Sequence, residues 1–122
     1  MKVLVVDDNT EIREVLSLYF EHESIDYQLI DNGTEGVKAI REHEYDLVLL
    51  DVAMPQFTGL DVMKDLKKDG IFESKNIVIF TASTDQETLK ELRSSGAKEV
   101  FRKPCSLDEL KALVDRYRPR QY

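Results

Sequence analysis

The chain has 122 residues, 42% of them hydrophobic, and 24 Asp plus Glu outweigh 17 Lys plus Arg for a net charge of −7. That length buries one core with little left for a second, so one domain over 1–122 is expected. The acidic balance argues against a nucleic-acid face, which needs a basic surface to displace counterions, and a lone Cys105 excludes an intramolecular disulfide.

The amino terminus reads MKVLVVDDN, and its apolar run, Val3 to Val6, is too short for a signal peptide or a membrane span. No membrane association is expected, and a reducing cytoplasm is the simplest setting. The run fits a strand. Ile12, Val15, Leu16, Tyr19 and Phe20 then recur at helical spacing and predict an amphipathic helix. Further apolar runs at Tyr27–Ile30, Leu47–Leu50, Ile77–Phe80 and Val100–Phe101 are mostly continuous, which suits parallel strands covered on both faces. Weaker helical segments lie at 34–42, 59–68 and 84–94, and a second stripe, Leu107, Leu110, Val114 and Tyr117, closes the series. Thr84-x-x-Glu87 and Ser106-x-x-Glu109 have the form of capping boxes, Gly96 suits a left-handed helix end, and Pro119 would stop the last helix. Leu89 and Leu92 are assigned to the core.

Strand then helix, five times over, predicts an open doubly wound α/β sheet, since a closed barrel needs eight units. In such sheets ligands bind at the carboxyl ends of the strands. Those ends carry Asp7-Asp8, Asp51, Thr81 and Lys103. Each residue alone has an ordinary explanation as a cap or a solvated charge; four of five strands delivering polar groups to one edge is a pattern. Carboxylates converging on one cleft repel unless a cation lies among them, and an oxygen-only donor set points to Mg2+. His22 and His43 stand in polar surroundings and read as exposed helix-end residues, so zinc is not expected. With a dication in place, Asp51 becomes a nucleophile toward a phosphoryl group, Lys103 a second cation and Thr81 a hydroxyl donor.

These residues, in the strings VVDDN, LVLLDVAMPQFTG, IFTAS and GAKEVFRKP, make the chain resemble the receiver domain of two-component response regulators, the CheY-like family. The resemblance runs over essentially the whole chain. It implies a five-stranded flavodoxin-like (βα)5 sheet in the order 2-1-3-4-5, with Asp51 as phosphoacceptor. It further implies Mg2+ on Asp8, on Asp7 partly through water, on Asp51 and on the backbone carbonyl of Ala53. Thr81 and Lys103 would engage the phosphoryl group, Lys103-Pro104 would be cis, and Pro55 and Gly59 would shape the turn after the acceptor. The donor would be a sensor histidine kinase, a phosphotransfer protein or a small acyl phosphate. The domain would be no conventional enzyme, catalysing only its own phosphorylation and dephosphorylation. Output would leave by the face of the fourth helix, fifth strand and fifth helix toward an unidentified protein, with Glu91, Arg93 and Arg102 as candidate contacts, from a monomer or a phosphorylation-dependent dimer.

Two departures matter. The position three before Lys103, often aromatic in the family, is Val100, so the usual aromatic switch is expected to be absent or rebuilt and Phe101 to be core. Two residues after Asp51 stands Ala53, and two after Thr81 stands Ser83; Ala53 offers the hydrolytic water no side-chain help, which predicts a long-lived phosphoryl state. Three other readings are distinguishable. A haloacid-dehalogenase-type phosphohydrolase needs an acid where Ala53 stands, and a flavin module needs a phosphate loop without Asp7 and Asp8. A receiver-like module of the third kind would bind protein partners without phosphorylation. The chain reads either as a stand-alone regulator or as a receiver excised from a longer one.

Overall fold

The computed structural model describes residues 1–103 and 105–119, so the expected Lys103-Pro104 geometry lies outside the described residues. The elements are β1 (Lys2–Val6), α1 (Thr10–His22), β2 (Asp26–Ile30), α2 (Gly33–Glu42), β3 (Leu47–Asp51), α3 (Gly59–Lys68), a 3-10 turn (Phe72–Ser74), β4 (Ile77–Thr81), α4 (Gln86–Arg93), β5 (Glu99–Arg102) and α5 (Leu107–Arg116). All strand pairs are parallel, in the order β2-β1-β3-β4-β5. This is the flavodoxin-like α/β fold expected from the sequence.

The continuous apolar runs are explained by alternation across a sheet buried on both sides. Leu4, Val6, Val48, Leu50, Ile77 and Ile79 pack beneath Ile40, Val62, Leu66 and Leu92 of α2, α3 and α4. Their strand neighbours Val3, Val5, Leu47, Leu49, Val78 and Phe80 pack on the other face against Leu16, Phe20, Leu110, Leu113 and Val114 of α1 and α5. Every residue of β3 and β4 is buried.

Helix starts follow side-chain capping. Asn9, Asn32, Thr58, Asp85 and Ser106 each accept a backbone N–H of the first turn. The Ser106–Glu109 box forms as predicted, and a second box forms between Thr58 and Asp61. The Thr84–Glu87 box does not form: Asp85 caps α4 instead, its carboxylate accepting from the Thr88 N–H at 3.1 Å and the Thr88 hydroxyl at 2.6 Å. An ionised acceptor one residue further on makes the stronger bond. Two apolar positions assigned to buried stripes also differ. Val15 and Leu107 are 55% and 64% exposed, because they flank a groove between α1 and α5 while Leu16, Phe20 and Leu110 take the sheet-facing positions.

The end of α1 shows local strain. The Ile25 N–H donates to the Phe20 carbonyl and the Ser24 N–H to the Glu21 carbonyl, a Schellman closure that puts Ser24 at φ 56°. The same closure ends α3, where Gly70 holds the left-handed position at φ 68°. A Cβ is disfavoured there by about 1 kcal/mol, and the Ser24 side chain is exposed. Ser24→Gly is therefore expected to raise stability by about 0.5–1 kcal/mol, read as a higher denaturant midpoint with unchanged slope.

Candidate functional site

Parallel strands deliver their carboxyl ends to one edge, and the polar residues collect there. Asp51 is the last residue of β3 and Thr81 the last of β4, while Asp7 and Lys103 directly follow β1 and β5. Register does the rest: Asp51 stands opposite Phe80, and Thr81 opposite Arg102. Among the described residues, Asp7, Asp51 and Thr81 are the buried polar ones, at 2%, 5% and 4% exposure.

Lys103 ties the site together. Its Nζ lies 2.7 Å from Asp7 Oδ2 and 3.1 Å from Asp51 Oδ1. Carboxylate oxygens of Asp7, Asp8 and Asp51 all fall within 4.8 Å of one another. Asp7 Oδ1 also accepts the Asn9 N–H at 2.9 Å. The backbone joins β4 to β5 at the same level, the Lys103 N–H donating to the Thr81 carbonyl at 2.7 Å. The Thr81 hydroxyl accepts the Ser83 N–H at 3.1 Å.

The electrostatics are unbalanced. Burial, and then the charge of Asp7, push the Asp51 carboxyl up from 3.8 to about 6, against the opposing pull of Lys103 and of the Ala53 N–H. Burial pulls the Lys103 ammonium down, but its hydrogen bond to Asp7 and the charges of Asp7 and Asp51 outweigh this and raise it. One ammonium divided between two buried acids, and closer to Asp7, leaves Asp51 under-neutralised. The cluster therefore fits a second cation. Its donors are all oxygens, the set preferred by Mg2+.

A cleft of about 610 Å3 opens over this edge, lined by Asp8, Asp51, Ala53 and Lys103 and walled by apolar residues such as Leu16 and Phe80. Ala53 is exposed at its rim, and beside β4 the lining residue is Ala82 and not the buried Thr81. Gly59 keeps α3 hard against the acceptor strand: a Cβ there would stand 2.3 Å from the Asp51 carbonyl oxygen. Val100 packs on the α2–α4 side, whereas Phe101 packs on the opposite face with its ring 5.9 Å from that of Phe80. His22 and His43 are exposed, away from the acids.

The structure thus brings Asp7, Asp8, Asp51 and Lys103 together, with Thr81 and Ala53 beside them. One contributor escaped the sequence reading. Arg13 of α1 donates from Nη1 to the Asp7 carbonyl at 2.8 Å. Its position on the helix, with an i, i+3 polar neighbour in Thr10, gave it the look of an ordinary surface residue.

The family model for the response regulator receiver domain matches residues 3–115. The chain belongs to that family. The receiver is 32% identical over 118 residues to sporulation initiation phosphotransferase F of Bacillus subtilis, covering 97% of this chain and 94% of that protein. It is 37% identical over 113 residues to the DNA-binding response regulator MtrA of Mycobacterium tuberculosis, covering 93% of this chain and 48% of that one. The chain thus spans about half the length of the MtrA proteins it matches. Among solved structures, the receiver resembles the Francisella response regulator 1452 receiver domain, with TM-score 0.85, 32% identity and coverage of 95% and 94%. It also resembles TrrA of Thermotoga maritima in complex with Mg2+ and BeF, with TM-score 0.81, 33% identity and coverage of 96% and 98%.

The raised Asp51 value fixes a stability prediction for the receiver. Between about pH 4 and 6 the folded state holds a proton on Asp51 that the unfolded state releases, so stability falls as pH rises through this window and the full cost applies above it. Asp51→Asn removes that cost. In chelator at pH 7.5 the variant is expected to be more stable than wild type by about 1–3 kcal/mol, with the gain shrinking toward pH 4. Denaturant melts across that pH range check both the sign and the window.

Proposed function

We propose that this receiver domain, spanning 1–122, accepts a phosphoryl group on Asp51 from a sensor histidine kinase or a phosphotransfer protein, with Mg2+ as its cofactor. The observation that carries the reading is Asp51 itself, a buried and under-neutralised carboxylate at the floor of an open cleft. Receiver domains as a family take phosphoryl groups from such donors and are not conventional enzymes. The finer roles belong to this proposal: catalysis by the domain of only its own phosphorylation and dephosphorylation, and the residue assignments that follow.

Asp7, Asp8, Asp51 and the backbone carbonyl of Ala53 would hold the Mg2+, which when bound neutralises charge on the phosphoryl oxygens. A carboxylate oxygen of Asp51 attacks phosphorus from the floor of the cleft. The bond from phosphorus to the donor breaks, and the departing atom keeps the electron pair. Lys103 already pairs with both acids, by a hydrogen bond to Asp7 and an ion pair to Asp51, and its ammonium keeps a donor for a phosphoryl oxygen. Thr81 gives up the Ser83 N–H bond and turns its hydroxyl to another. Ala53 leaves the attacking water unaided, which favours a long-lived phosphoryl state.

The same reading places the domain in the cytoplasm; no helix among the described residues is long and apolar enough to cross a membrane. Its output would be a change in the α4–β5–α5 face toward a protein partner, from a monomer or a phosphorylation-dependent dimer. The exposed residues Glu91, Arg93 and Arg102 lie on those elements, and Leu89 and Leu92 of α4 are buried. This domain itself would bind no nucleic acid; MtrA, of which the chain covers 48%, is named a DNA-binding response regulator.

Intact mass after incubation with a small acyl phosphate tests the proposal. Wild type is expected to gain one phosphoryl group with Mg2+ and none with chelator, Asp51→Asn to gain none, and Lys103→Ala to react at least about tenfold more slowly. No gain on wild type, from the acyl phosphate or from a histidine kinase, would leave a phosphorylation-independent binding module. A second measurement follows the decay of the phosphorylated form after donor removal. Ala53→Asn is expected to shorten its lifetime several-fold by orienting the water, and an unchanged decay rate would count against that role for position 53.

A further inference from the structure

The backbone of Asp7 is held as closely as its side chain. Its N–H donates to the Ile30 carbonyl at the end of β2, 3.0 Å away. Its carbonyl, one residue past β1, takes its hydrogen bond from a side chain, Arg13 Nη1 at 2.8 Å. The second terminal nitrogen, Nη2, reaches Thr10 Oγ1 at 3.4 Å, within the first turn of α1. Arg13 is half-buried beside a shallow hollow that Asp31 and Glu35 also line, and its side-chain hydrogen bonds go to the Asp7 carbonyl and Thr10.

The carbonyl that Arg13 holds belongs to the peptide joining Asp7 to Asp8. That unit is planar, so turning it changes ψ of Asp7 and φ of Asp8 together. Asp7 cannot follow such a turn, because its carboxylate is fixed by Asn9 and Lys103. Asp8 can: it is exposed, and packing does little to aim it. The orientation of one peptide plane therefore decides whether the Asp8 carboxylate stays within 4.8 Å of its two partners.

We infer that Arg13 is a positioning residue for the dication site: through the Asp7 carbonyl it sets the Asp7–Asp8 peptide so that both carboxylates meet Asp51. It touches neither the ion nor the phosphoryl group. The inference rests on the Mg2+ reading above, and the two fail separately.

The experiment is calorimetric titration of MgCl2 into wild type, Arg13→Ala and Arg13→Lys, with thermal melts in chelator alongside. Arg13→Ala is expected to weaken Mg2+ binding about tenfold, with Arg13→Lys in between because its ammonium can still donate to the Asp7 carbonyl but lacks the fork that also reaches Thr10, and with chelator melting points within a few degrees of wild type. Phosphorylation by a small acyl phosphate then slows at low Mg2+ and recovers at saturating Mg2+, a rescue that general damage would not allow. Wild-type affinity in Arg13→Ala, or a rate loss that saturating Mg2+ leaves in place, overturns the inference. Should Arg13→Ala not fold, Arg13→Lys and Arg13→Gln carry the same test. Failure of wild type to bind Mg2+ would sink the proposed cofactor and not the role of Arg13 alone.

Discussion

One ammonium shared between two buried carboxylates governs this site. Lys103 follows β5, Asp7 follows β1 and Asp51 ends β3, so the contact spans the central and edge strands and closes a separation of 96 residues in sequence. Removing the Lys103 ammonium would leave two buried carboxylates without a cation, and an uncompensated buried charge costs several kcal/mol. The pairing is also incomplete, since the cation is nearer to Asp7 and Asp51 keeps a raised pKa of about 6. A cluster held together yet left short of positive charge is stable enough to fold and open to a further cation. Both properties follow from the same three side chains.

The strands could not deliver these groups without strict register. Parallel pairing through Val3–Leu47, Val48–Ile77 and Val78–Glu99 brings the strand ends level, and a slip by one residue would turn the acids to the other face. Full burial of β3 and β4 makes such a slip expensive. Glycine acts at closer range. Gly59 lets α3 start against the Asp51 carbonyl, and Gly33 lets α2 start where a Cβ would stand 2.1 Å from the Phe57 carbonyl oxygen. The loop between β3 and α3, which includes Ala53, is thereby held between two helix starts.

The amino-acid sequence carries the architecture because the signals for it are periodic and redundant. Four apolar residues in a row before Asp7 and again before Asp51 mean a strand covered on both sides, whatever follows. The site is legible for a related reason: acids and a lysine directly after such runs have nowhere to go but the same sheet edge. What stays hidden depends on competition between near neighbours. Thr84 and Asp85 both make good caps, and only the geometry of the turn gives the position to Asp85. Val15 and Leu107 fit their helical stripes, yet the width of the face that the sheet can cover decides which members are buried. Arg13 is invisible in this sense too, because its partner is a backbone carbonyl, and the sequence assigns no special character to the carbonyl of Asp7.

On the proposed chemistry, the incoming phosphoryl group adds negative charge where positive charge is already short. Lys103 has a third N–H for a phosphoryl oxygen but only one positive charge, so the incoming group has to share that charge with Asp7 and Asp51 or draw the ammonium toward itself. Any such shift acts on a residue whose backbone N–H is bonded to the Thr81 carbonyl at 2.7 Å. Thr81 is the residue whose hydroxyl would turn, and the Ser83 N–H it would release lies in the segment leading to the Asp85 cap of α4. The route from charge to output face thus needs no long-range wire. It needs one lysine with a single charge for three anionic partners, placed next in sequence to β5 and bonded through its backbone to β4.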